Sequence, residues 1–165
     1  MRAFEPDGDG SVHAVLEPVE AALLAQLAGQ VAGLLTEQRG GAAADLAILR
    51  LLPDAYPDDS EASAEFRRFT ADELTEKKLR NARILIADCA NAADADGPST
   101  IQLDAASIGA WLRSLTDVRL VLATRLGITD DGDLAPDDDE EALMLTDVYD
   151  WLGFVQDSLV SALEE

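Results

Sequence analysis

The stretch DAASIGAWLRSLTDVRLVLATRLG, residues 104–127, decides the fold class. Asp104 is a residue type that caps helix starts, and Gly127 suits the left-handed position just past a helix end. Between them Ile108, Trp111, Leu112, Leu115, Leu122 and Leu126 recur at helical spacing and form one apolar arc. Arg119 falls inside that arc, close to Ile108 and Leu126. A guanidinium there must be paired or reach water along its stem. The expectation is a structural ion pair with an Asp, a Glu or backbone carbonyls on another element.

Working outward, the flanking segments are also mostly helical. On the N-terminal side, Thr100–Leu103 reads as a short strand that adds to a hairpin over residues 1–16, with Pro6-Asp7-Gly8-Asp9-Gly10 as its turn. A helix is predicted from Pro18 to Gly40-Gly41, with Val19, Leu23, Leu27, Val31 and Leu34 as its apolar stripe. A shorter helix covers Ala43–Leu52. Residues 53–60 form a turn-rich connector, followed by a helix over Ser60–Phe69. Thr70-Ala71-Asp72-Glu73 matches a capping box, so a helix should run over Ala71–Ala92. Leu74, Leu79, Ala82, Leu85, Ile86 and Cys89 share one face of it. Residues 129–141 carry eight acidic side chains and read as a solvated acidic loop. The last helix, Glu140–Leu163, carries Met144, Leu145, Val148, Leu152, Val155 and Leu159 on one side. Phe154 lies nearly opposite, where it marks nothing or a dimer or partner contact. The fold class is therefore mainly α: an irregular bundle of about five helices with a small N-terminal β-hairpin.

Charge narrows the function. The chain has 165 residues, a length that suits a single helical domain over 1–165. Asp and Glu total 33 against 12 Lys and Arg, a formal charge of -21. Such a field repels nucleic acid and anionic membrane at long range. The lone Cys excludes an internal disulfide, and the lone His excludes a multi-histidine metal site. No signal-peptide pattern is visible, and no apolar run approaches the roughly 20 residues that span a bilayer. A cytoplasmic protein is expected.

Catalytic and metal motifs are thin. There is no Gly-x-Ser-x-Gly elbow and no Gly-rich phosphate loop. Neither Asp7-Gly8-Asp9-Gly10 nor Asp130-Asp131-Gly132-Asp133 continues into a calcium loop; position six from Asp131 is Pro136. His13 reads as a hairpin side chain. Cys89 points into the core, where a thiol is a small hydrophobe, and a redox role is disfavoured. The basic residues are uneven: six of twelve lie within 67–83. Lys77, Arg80 and Arg83 follow i, i+3, i+6 spacing on the outer face of their helix, with Ile84 among them. That stripe is either a solvated face or a docking surface for an acidic partner.

Several strings together resemble a known family. They are Pro53-Asp54-Ala55-Tyr56-Pro57, Glu65-Phe66-Arg67-Arg68-Phe69-Thr70, residues 111–122 from Trp111 to Leu122, Thr124-Arg125-Leu126-Gly127 and Tyr149-Asp150-Trp151-Leu152-Gly153. Their order is similar to the AosR-like actinobacterial oxidative-stress regulator family, long carried as a domain of unknown function. The resemblance spans nearly the whole chain. It implies an intracellular, non-enzymatic protein linked to transcriptional responses to oxidants, with a sigma factor or other transcription component as partner. The family's redox mechanism uses a cysteine pair, and this chain departs from it, having Cys89 alone.

The reading is a non-enzymatic cytoplasmic protein-interaction module, transcription-linked, with no cofactor and with Lys77, Arg80, Arg83 and Ile84 as its partner surface. Two alternatives stay open: a DNA-binding regulator using the local basic helix, and a small-ligand protein or enzyme with a carboxylate site. A homodimer also stays open.

Overall fold

The computed structural model describes residues 1–39, 45–52, 61, 70–128 and 140–164. The connector over 53–60, most of the helix expected over Ser60–Phe69 and most of the acidic loop lie outside these residues. Among the described residues the order is β1 (Glu5–Pro6), β2 (Val12–Leu16), α1 (Pro18–Arg39), α2 (Leu46–Leu51), α3 (Asp72–Ala93), β3 (Ser99–Leu103), α4 (Ala105–Arg125) and α5 (Glu140–Ser161). This is the expected mainly α class with a minor sheet.

The sheet is antiparallel in the order β1-β2-β3. Glu5 pairs with His13 across the hairpin, and Val12 to Leu16 pair with Leu103 to Ser99. Gly8 and Gly10 turn the hairpin at φ +78° and +87°, conformations that side-chain-bearing residues rarely adopt. Val12, Ala14 and Leu16 alternate inward and join Ile101 and Leu103 against the helices.

Local chemistry sets the helix ends. Asp104 accepts the amide of Ser107 at 2.8 Å, opening α4. At its far end Gly127 sits at φ +68°, its amide reaching Thr124 O and the amide of Ile128 reaching Ala123 O at 2.9 Å. Those two bonds are the Schellman pattern, which satisfies carbonyls the helix cannot. Asp45 caps α2 in the same way as Asp104, through the amide of Ala47. At α1 the Glu20 carboxylate accepts the Glu17 amide at 2.8 Å, half of a capping box, and also pairs with the Met1 amino group.

The box expected at Thr70 is a correction. Ala71, just before α3, has helical angles and makes no side-chain cap bond among the described residues, so helical backbone already runs through this position. Glu73, freed from capping, pairs with Lys77 at 2.7 Å.

The α1 stripe is also re-centred. Ala21, Leu24, Leu27, Ala28, Val31 and Leu35 are buried, whereas Val19 is 72% exposed. The small Ala21 and Ala28 turn inward as α1 packs along α3, its most extensive neighbour. Residues 18–38 are also long and apolar enough to cross a membrane by length and composition, correcting the expectation that no such run exists. In this fold about a third of the stretch is buried, on the side that carries Ala21, Leu24, Ala28, Val31 and Leu35. On α5, Leu152, Val155 and Leu159 are buried, while Met144 of the expected stripe is exposed. Trp111 is fully buried at the centre, edge-on to Phe4 with ring centroids 5.9 Å apart.

Candidate functional site: a basic groove between three helices

Packing of α3 across α4 leaves an open groove of about 780 Å³, closed at one end by the last turns of α5. Its floor carries Leu74, Leu112 and Val160; Leu74 is 39% and Val160 41% exposed. Four cations line it: Lys77, Lys78 and Arg80 from α3, and Arg113 from α4. Among the described residues, Asp117 is the only carboxylate that lines it. A chain of -21 thus gathers a local excess of positive charge over apolar surface.

Each cation is positioned differently. Lys77 is exposed and bound to Glu73 one turn back, and that ammonium holds the Glu73 carboxyl below its ordinary value. Lys78 reaches inward and bonds Asp117 at 2.5 Å. Asp117 is buried, and burial pushes its carboxyl up, with Lys78 pulling the other way. Arg113 folds back, donating to Gly109 O at 2.9 Å on its own helix. Arg80 is exposed on the rim.

The expected stripe is therefore split. Lys77 and Arg80 face the groove; Arg83, exposed, and Ile84, half-buried, stand outside its lining. Lys78 and Arg113 belong to it and were missed as site residues. Helical spacing could have placed Lys78 near the buried side of α3. Nothing local could have brought Arg113 across from another helix.

Arg119 is half-buried as its place in the arc requires, yet its partners differ from those expected. Its Nη1 donates to the Gln156 side-chain oxygen at 3.0 Å, and its guanidinium lies 4.7 Å over the Tyr149 ring. No carboxylate pairs with it among the described residues. A neutral amide and an aromatic face take the place of the ion pair, because α5 presents Tyr149, Gly153 and Gln156 at that level. Gln156 in turn donates to Thr116 Oγ1 at 3.0 Å, tying the groove wall to Arg119.

Other candidates resolve as structural. Cys89 is fully buried; burial, helped by the charge of Asp88, pushes its thiol up to about 12. Asp88 itself accepts the indole N–H of Trp111 at 2.9 Å. His13 Nδ1 lies 2.7 Å from Asp7 in the hairpin. Asp7 and Asp9 both accept from the Ser11 hydroxyl, bracing the same turn. No group of three or more His, Cys, Asp or Glu able to hold a metal occurs among the described residues.

Residues 1–163 match the model of DUF2017, a domain of unknown function. The chain belongs to this family. Among curated relatives, an AosR protein of Mycobacterium leprae is 29% identical over 92% of this chain and 82% of its own length. The oxidative stress regulator AosR of Mycobacterium tuberculosis is 27% identical over 90% of this chain and 80% of its own length, and that of Mycobacterium bovis matches equally. The AosR-like resemblance read from the sequence therefore holds. No solved structure matches the chain.

Proposed function

We propose that this chain is a non-enzymatic cytoplasmic regulator of the response to oxidants, and that it acts by docking an acidic protein partner in the groove. The observation that carries this reading is the cluster of Lys77, Lys78, Arg80 and Arg113 around Leu74, Leu112 and Val160 on a strongly acidic chain. The names of the relatives supply the oxidative-stress setting. Cations over apolar floor select a partner segment that pairs carboxylates with apolar side chains, and the repulsive remainder disfavours other acidic surfaces. A transcription component such as a sigma factor is the class of partner that joins regulation to protein docking. Cys89 supports no thiol switch within the chain, so the oxidant signal reaches this regulator through its partner or its abundance.

The test is genetic. The native copy is replaced by a Lys77→Glu/Arg80→Glu/Arg113→Glu variant, and transcripts are profiled after peroxide. The variant should reproduce the deletion strain's altered response, whereas Cys89→Ala should respond as wild type. A deletion strain whose peroxide response equals wild type would overturn the regulatory reading. A groove variant that responds normally while the deletion does not would overturn the groove.

A further inference from the structure

Arg119 is a permanent cation with five N–H donors. In a chain with 33 carboxylates it meets none of them among the described residues. One nitrogen, Nη1, donates to Gln156. Nε is buried with no acceptor, and Nη2 has none among the described residues. The Tyr149 ring covers one face of the guanidinium but accepts at none of its edges. Beside it lies a separate hollow of about 220 Å³, lined by Thr116, Leu120, Ala123, Tyr149, Gln156 and Arg119 itself.

We propose that this hollow is a carboxylate-binding site with Arg119 as its anchor. The guanidinium fork matches a planar carboxylate in size and direction. Arg119 is the only cation lining the hollow among the described residues, which suits a singly charged carboxylate over a doubly charged phosphate. The amide of Gln156 is orientation-locked: its nitrogen is committed to Thr116, so its oxygen faces Arg119 and holds the fork in place. Gly153 keeps the neighbouring helix low here. A Cβ at that position would stand 3.6 Å from Nη2, an ordinary van der Waals contact that leaves the fork where it is. The carboxylate comes either from a small free organic acid or from a Glu or Asp side chain of a docked chain, since Thr116 and Gln156 line both hollow and groove. The site does not rest on the groove having a protein partner.

The test follows the Arg119 Nε–H resonance and the Tyr149 ring resonances in the folded full chain. Acetate and glutarate are titrated to tens of millimolar, with chloride at matched ionic strength as the control. Both carboxylates should shift these signals saturably, and chloride should not. Arg119→Lys, which keeps the charge and loses the fork, should weaken the Tyr149 response at least tenfold, on the order expected for a lost charge-assisted bond. The Lys77/Arg80/Arg113 reversal should weaken the acetate response no more than a reversal of Arg50, Arg83 and Arg125, which adds the same charge outside the groove, separating this site from the groove. An end-blocked Glu-containing peptide that saturates the signals below glutarate assigns a side-chain source; the reverse order assigns a free acid. Signals unmoved by every carboxylate, or moved equally by chloride, overturn the proposal. If the Lys variant fails to fold, the wild-type titration alone decides.

Discussion

Cys89 shows how far one side chain can be argued from its helix position. The face shared with Leu85 predicts burial, and the structure places the thiol in the core with its pKa pushed up to about 12. The thiolate is the reactive form, so native Cys89 should label orders of magnitude more slowly than a free peptide thiol. Labelling that matches the unfolding-limited rate checks this; labelling at the peptide rate contradicts it. Asp117 escaped the sequence because it lies nine residues after Ile108, opposite the expected apolar arc, and so reads like any exposed Asp. Its burial becomes visible only when Lys78 arrives from α3. Folding raises its pKa above the ordinary 3.8, so folded Asp117 holds its proton more tightly than unfolded Asp117. Its contribution to stability is full below that ordinary value and falls as pH rises through the folded value. Asp117→Asn should remove this slope: the stability gap between wild type and variant, measured by denaturant melts between about pH 3 and 7, should move in the variant's favour as pH rises. A gap independent of pH would refute the assignment. Lys78→Met should cost about 3–5 kcal/mol at neutral pH, because Asp117 is left buried without its cation.

At the scale of the element, legibility followed locality. Asp104 and Gly127 could be read because a cap depends on its own few residues, and both sit where they were expected. Gly127→Ala places a side chain at φ +68° and should cost about 1–2 kcal/mol. Asp104→Ala loses the bond to the Ser107 amide and should cost about 1 kcal/mol. The two positions lie at opposite ends of α4, so their effects should add within about 0.5 kcal/mol in the double variant. Thermal or denaturant melts of the three variants check both magnitudes and the sum. Thr70 failed because a capping box in sequence cannot tell whether the chain before it is already helical. The α1 stripe failed for a different reason. That helix is apolar on nearly every side, so periodicity alone does not choose which side meets α3. The buried side carries Ala21 and Ala28, residues small enough to permit close approach.

The whole molecule carries the charge argument. The groove was only half legible, because Lys77 and Arg80 are neighbours in sequence while Arg113 and Val160 arrive from elsewhere. Reversing Lys77, Arg80 and Arg113 takes the formal charge from -21 to -27, since each change removes one positive and adds one negative charge. Any acidic partner would then be repelled more strongly even by a chain with no groove at all. The general effect must be matched, and a second triple does so. Arg50, Arg83 and Arg125 lie outside the groove; Arg50 donates to Ile128 O at 3.2 Å and Arg125 to Gln30 at 3.4 Å. Their reversal also reaches -27. If only the long-range field matters, the two triples should slow association equally, and salt should rescue both as the Debye length shrinks from about 10 Å at 0.1 M to about 3 Å at 1 M. Docking in the groove predicts a split. The outer triple should lose on-rate and recover it with salt. The groove triple should also gain off-rate, and salt should not restore it, because contacts at the interface core are gone. Surface plasmon resonance with the captured native partner, at low and high salt, reads both rates. Equal off-rates for the two triples would mean that the groove contributes field and not contact.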